Sequence, residues 1–303
     1  MDAGVDILGG DWTAGTLPLR ADGRAPDPVA TLVGRTPTQR RAVLYLHGFV
    51  DYFFHPHVAD ALADEADVYG LDLRDYGRSI RPGREPNFTT DLSVYAEEID
   101  AAYRVLRQDH DEVVLLGHST GGLIAALWAD ARPGLLAGVV LNSPWLDLRG
   151  SWAERVPLTR VLDVVGRVAP NLVVAHLGEF YGTALHAQWG YDLAWKPLKG
   201  FPVRAGFVRT VRRGHARVAR GLDVDCPVLV LTSDASGPDH DFHDALLTSD
   251  SVLDVKQMAA RAPLLGRDVT LRQVPGGAHD LALSPEPAQG RYLDEVRQFL
   301  RTL

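Results

Sequence analysis

Apolar runs alternate with amphipathic stretches along most of the chain, the pattern of a mostly parallel sheet covered by helices. Residues 42–46, 68–73, 113–116, 138–141, 227–231 and 269–274 read as strands, with residues 28–33 as an outer strand. Most are near-continuous apolar runs, as expected for parallel strands buried on both faces. Helices are predicted over residues 90–108, 121–131, 251–261 and 287–303. The first opens on Thr and Asp cap candidates and carries Leu92, Tyr95, Ile99, Ala102 and Leu106 at helical spacing. The fold class is therefore α/β.

Residues 146–225 break this rhythm. The interval is too long for a structureless loop and should hold helices of its own. With Trp145 at its border, it is rich in aromatics: Trp152, Phe180, Tyr181, Trp189, Tyr191, Trp195, Phe201 and Phe207. It is expected to be an inserted helical lid over the strand ends, by fold analogy. Residues 1–145 and 226–303 then form the core.

The 303 residues, 46% of them hydrophobic, can bury a large core. A net charge of −8 argues against nucleic acid as a partner. The longest basic cluster, Arg212, Arg213, His215, Arg217 and Arg220, reads as a solvated helix face. The single cysteine, Cys226, excludes an internal disulfide and reads as a small buried hydrophobe. No window approaches the ~20 apolar residues that span a bilayer. The expectation is a soluble cytoplasmic protein without stable membrane insertion.

The sharpest chemical signal is Gly117-His118-Ser119-Thr120-Gly121, followed by Gly122. It follows a strand and opens a small-residue helix. Such a turn projects the serine hydroxyl above the sheet, and its glycines let the backbone bend and pack closely. The helix N-terminus favours developing negative charge. A serine hydroxyl needs a base. In the order Ser, acid, His, the base is His279, which alone among 11 histidines follows the last strand. The acid belongs after the fifth buried strand, where Asp234, Asp239, Asp241, Asp244 and Asp250 compete. Asp250, just ahead of a helix, is favoured; Asp234, at the strand end, is the alternative. The acid would fix the histidine tautomer and stabilise its cation.

Two N–H groups should form the oxyanion hole, from Thr120 and from Phe49 in His47-Gly48-Phe49. His47 is expected to support that loop. Tyr52, Phe53, His118 and Trp145 are the candidate substrate-binding residues. Asp239-His240-Asp241-Phe242-His243-Asp244 offers potential ligands but no register to converge them, so no metal is expected. No glycine-rich phosphate loop is present, so no nucleotide cofactor is expected.

Together these motifs resemble the lysophospholipase and monoacylglycerol-lipase branch of the α/β hydrolases, often grouped with serine-aminopeptidase-like hydrolases. The resemblance is carried by His47-Gly48-Phe49, Leu71-Asp72-Leu73-Arg74-Asp75-Tyr76-Gly77-Arg78-Ser79, Gly117-His118-Ser119-Thr120-Gly121-Gly122 and Gly277-Ala278-His279-Asp280. It covers residues 40–145 and 226–300. It implies an α/β-hydrolase fold, with Ser119 as nucleophile, His279 as base, Phe49 and Thr120 as oxyanion donors, and no cofactor. An acid shortly before Val252-Leu253-Asp254-Val255 also resembles relatives, which supports Asp250. The polar stretch 233–249 departs from a compact acid loop and keeps Asp234 open. Serine at the elbow speaks against haloalkane dehalogenases and epoxide hydrolases, which use Asp there. The implied activity is hydrolysis of a small-molecule carboxylic ester with an apolar acyl group. The alternatives are an acyltransferase, an amidase or aminopeptidase with the same triad, and a non-catalytic binding relative.

Overall fold

The computed structural model describes residues 3–149, 161–238 and 240–303; Trp152 and Asp239 lie outside the described residues. Its strands are β1 (Ala3–Val5), β2 (Thr13–Pro18), β3 (Val29–Gly34), β4 (Arg41–Leu46), β5 (Asp67–Asp72), β6 (Glu112–His118), β7 (Gly138–Asn142), β8 (Val173–Ala175), β9 (Val203–Arg204), β10 (Val228–Ser233) and β11 (Val269–Val274). Nine of them form one sheet in the order β1-β2-β3-β5-β4-β6-β7-β10-β11. The strands from β5 to β11 in that order are parallel, and β1, β2 and β3 join antiparallel at one side. All six predicted inner strands and the outer strand are present.

The apolar runs are continuous because each strand feeds two cores. Leu44 and Leu46 of β4 enter one cluster, while Val43 and Tyr45 enter the other. Val113 and Leu115 of β6 likewise oppose Val114 and Leu116. Alternate side chains point to opposite faces, so a strand covered on both sides has no polar face. The helices are α1 (Pro56–Leu62), α2 (Tyr95–Leu106), α3 (Thr120–Ala131), α4 (Glu179–Trp189), α5 (Ala205–Ala219), α6 (Val255–Arg261) and α7 (Ala288–Thr302). Ile99 of α2, Leu123 of α3 and Phe207 of α5 cover the first face. Val58 of α1 and Tyr292 and Val296 of α7 cover the second.

The interval after β7 divides in two. Residues 161–168 are helical, β8 pairs antiparallel with β9, and α4 lies between those strands in sequence. Helix α5 instead packs into the main core through Phe207, Val211 and Val218. Of its basic cluster, Arg213 and Arg220 are exposed as expected of a solvated face, but the other three are not simply solvated. His215 is buried, Arg212 donates to Asp147 Oδ1 at 2.7 Å, and Arg217 donates to Asp130 Oδ2 at 2.8 Å. The acids that receive these cations are distant in sequence, so a local charge count cannot find them. Cys226 is buried, and burial pushes its thiol up to about 11.

Candidate active site

Strand β4 lies between β5 and β6, so the chain leaves β4 to one side and returns on the other. Ligands of open parallel sheets bind at such a switch point, beyond the carboxyl ends of the strands. Leu46 pairs with Gly117, and His118 pairs with Asn142. The loop after β4 and the turn after β6 therefore emerge side by side.

Ser119 occupies that turn with φ 53 and ψ −117, immediately before α3. A non-glycine residue rarely holds this conformation, which costs on the order of 1–3 kcal/mol. Its surroundings fix it. Ser119 N–H donates to Asn142 O at 3.0 Å, and Ser119 O accepts from Gly122 N–H at 3.0 Å and Trp145 N–H at 2.9 Å. The glycine at 121 is a steric necessity: a Cβ there would lie 2.2 Å from Leu46 O. Close approach of α3 to β4 thus requires the motif's second glycine. Thr120 is the first residue of α3, where a backbone N–H has no intrahelical partner.

His279 Nδ1 lies 3.0 Å from Asp250 Oδ2. Asp250 is fully buried, and its other oxygen accepts N–H bonds from Val252 at 3.0 Å and Leu253 at 2.7 Å. Its backbone is tied to the segment after β10: Asp250 N–H donates to Ala235 O at 2.8 Å, and Asp250 O accepts from Gly237 N–H at 2.9 Å. Asp234 is exposed and accepts from Gly276 N–H at 3.0 Å. The geometry pairs His279 with Asp250, while Asp234 braces the turn before the histidine. His243 spends both ring nitrogens on local backbone, at Pro238 O and Ala245 N–H.

Ser119, His279, Phe49, Thr120, His118 and Trp145 all line one cavity of about 670 Å³. The size is typical of small-molecule sites. The insert contributes Leu162, Val174, Leu177, Phe180, Leu185 and Leu198, so the roof is apolar. Phe49 stacks on Phe207 with ring centroids 4.6 Å apart.

One wall is polar. Lys196 Nζ donates to Asp51 Oδ1 at 2.5 Å. Asp280 accepts from Asn142 Nδ2 at 2.8 Å, and His55 Nε2 donates to its other oxygen at 3.0 Å. Burial pushes both carboxyls upward, but Lys196 and nearby imidazoles outweigh it, so both stay below their ordinary range. Burial pushes His118 down to about 4, leaving it neutral at pH 7. Among the described residues, Asp51, His118 and Asp280 are the group whose potential ligand atoms lie within 4.8 Å of one another. Lys196 and His55 already hydrogen-bond its carboxylates.

A family model described as "Serine aminopeptidase, S33" matches residues 37–286, most of the chain. The chain belongs to this family. Monoacylglycerol lipase of Mycolicibacterium smegmatis is 27% identical to this S33 chain over 271 residues, covering 86% of the chain and 88% of the relative. Among solved structures, a soluble variant of monoglyceride lipase from Saccharomyces cerevisiae in complex with a substrate analog superposes with a TM-score of 0.71, at 17% identity, over 95% of each chain. Monoacylglycerol lipase of Paleococcus ferrophilus superposes at 0.65, with 20% identity, over 86% of this chain and 94% of that one. Those two likenesses are of fold, and the fold is the α/β-hydrolase fold.

Two candidate substrate-binding residues of this S33 chain are placed elsewhere. Phe53 is buried against Trp12 and Tyr45, in space that exists because residue 70 is glycine; a Cβ there would lie 2.0 Å from the Phe53 ring. Tyr52 accepts from Asp192 N–H at 2.8 Å and packs edge-on against Trp195. Neither side chain lines the cavity, which the loop reaches through Phe49, Val50 and Asp51. The expected support from His47 takes a definite form: Nδ1 donates to Gly48 O at 2.8 Å, and Nε2 accepts from Leu73 N–H at 3.1 Å. Sequence reasoning missed Lys196 and Asp280 as cavity-wall residues. Asp280 carried a signal, as a charge beside the candidate base in an otherwise apolar stretch. Lys196 carried none.

Proposed function

We propose that this protein is a carboxylic-ester hydrolase acting on monoacylglycerol-like esters through Ser119, His279 and Asp250. The observation that carries the reading is the 3.0 Å His279–Asp250 contact, beside a strained serine that lines the same cavity. Asp250 holds the Nδ1–H tautomer, which leaves Nε2 to take the Ser119 proton. Ser119 Oγ attacks the ester carbonyl. The electron pair moves onto the carbonyl oxygen, which accepts hydrogen bonds from the Phe49 and Thr120 N–H groups. Gly48 N–H faces Asp51 and Val50 N–H faces Asn87, so the N–H groups on either side of Phe49 are engaged elsewhere, which supports Phe49 as the donor. His279 then gives its proton to the leaving alcohol. Water, deprotonated by the same imidazole, releases the acid and restores the serine.

The substrate class rests on the two kinds of cavity wall. The apolar insert acts as a lid over an acyl chain, and the Asp51–Lys196 pair offers a donor and an acceptor to the hydroxyls of a glycerol-like alcohol. The name of the M. smegmatis relative supports this choice. The test is a panel of monoacylglycerols and p-nitrophenyl esters of graded chain length. We expect turnover that rises from acetyl to longer chains and falls by at least about 10⁴-fold in Ser119→Ala. A folded protein that cleaves none of these esters would overturn the reading.

A further inference from the structure

The loop after β4 carries the proposed oxyanion donor, and its backbone is strained. Val50 has φ 52. β-Branched residues rarely adopt this left-handed conformation, which costs on the order of 1–3 kcal/mol. One buried side chain from a distant loop opposes that strain: Asn87 Oδ1 accepts the Val50 N–H at 2.9 Å. Asn87 Nδ2 donates to Asp75 O at 3.1 Å, and its own N–H donates to the same carbonyl at 2.9 Å. Asn87 and Asp75 are also left-handed, at φ 56 and 63, conformations that these two residue types tolerate. Arg84 anchors the series, donating from Nε and Nη2 to Asp75 at 2.6 and 3.0 Å. It also donates to Asp22 from Nη1 and Nη2, at 3.0 and 2.8 Å.

The peptide planes explain why this matters. The Phe49 N–H belongs to the Gly48–Phe49 peptide, whose carbonyl accepts from His47 Nδ1. The Val50 N–H belongs to the next peptide. Phe49 therefore sits between two pinned planes, one held by His47 and one by Asn87. Without Asn87, Val50 can relax toward ordinary φ and turn the Phe49 N–H off its aim.

We propose that Asn87 is a positioning residue for the oxyanion hole, acting through the Val50 peptide on Phe49. This rests on the hydrolase reading and on Phe49 as a donor. Asn87→Gly keeps access to the left-handed backbone and removes the acceptor. With active sites counted by the endpoint of fluorophosphonate titration, kcat should fall about 10- to 100-fold while KM stays within about threefold. The inhibition constant of a trifluoromethyl ketone, whose adduct carries an oxyanion, should rise by the same factor. Asn87→Asp keeps the acceptor and the left-handed preference, and should lose less kcat than Asn87→Gly and at most about tenfold; it carries the test if the glycine variant does not fold. The proposal is overturned by wild-type kcat and inhibition in Asn87→Gly, by a rise in KM at unchanged kcat, or by an aspartate variant as impaired as the glycine one. Where only the aspartate variant folds, a loss beyond tenfold overturns it. A wild-type protein with neither turnover nor labelling overturns the hydrolase reading and this inference together. Normal wild-type turnover beside an unaffected Asn87→Gly overturns this inference alone.

Discussion

The floor and the roof of the cavity are built on opposite principles. On the floor, Ser119, His279 and Asp250 are 8%, 4% and 0% exposed, and each is held by backbone bonds or a buried partner. Over the cavity, the helix at 161–168 leaves Val164 62% and Val168 79% exposed, and β8 is exposed along its length. The roof meets the floor through one apolar cluster, in which Leu185 and Tyr191 pack with Tyr52, Phe54 and Leu283, and through a few polar bolts. Trp189 Nε1 donates to Leu283 O at 2.9 Å, Asp280 N–H donates to Tyr181 Oη at 3.1 Å, and Lys196 reaches Asp51. Close packing fixes positions to fractions of an ångström, which bond-making chemistry requires. An apolar cover held at a few points can match a chain without fixing each atom. Under the proposed function, reaction type would reside in the floor and substrate choice in the roof.

The largest expected effect tests the floor. Asp250→Asn should lower kcat by about 10⁴-fold, because the histidine loses its enforced tautomer, while Asp234→Asn should stay within about threefold. Steady-state kinetics on one ester decides, and equal losses would dissolve the distinction between triad acid and turn brace. A smaller effect tests the roof. Phe180 lines the cavity and meets Phe242 edge-on at 5.0 Å. Phe180→Ala should lower kcat/KM about tenfold for a long-chain ester, the scale of one lost apolar contact, and leave an acetyl ester almost unchanged. A loss independent of chain length would show that the roof serves the chemistry itself.

The smallest effect concerns stability. His57, His118 and His215 are pushed down to about 4, 4 and 3, in each case chiefly by burial. The unfolded chain takes up protons near pH 6.5, where the folded one does not. Stability is therefore full above about pH 6.5 and declines toward pH 4, by on the order of 1 kcal/mol per histidine. Thermal melts between pH 7.5 and 4.5 should show a falling Tm. A Tm that rises on acidification would contradict the assignment of these imidazoles as neutral.

The floor was legible because its constraints are local. A buried strand, a glycine that only a close approach explains, and a histidine after the last strand are all short-range patterns. Strand β2 was not legible: in Thr13–Pro18 only two positions are buried, too few to stand out. Helix α1 is two turns long, and its proline at the first turn was its main signal. The roof resisted for another reason. Lys196 finds Asp51 across 145 residues, and Arg212 finds Asp147 across 65. Pairings of that range are set by tertiary packing, and composition within a window misses them, as it did for His215, Arg212 and Arg217 of α5.

The most direct test of the central claim is to acid-quench the protein during turnover of a p-nitrophenyl ester and map the acylated peptide by mass. One acyl group is expected, on Ser119, absent from Ser119→Ala. Steady turnover with the acyl group on another residue, or with Ser119→Ala still active, would contradict it.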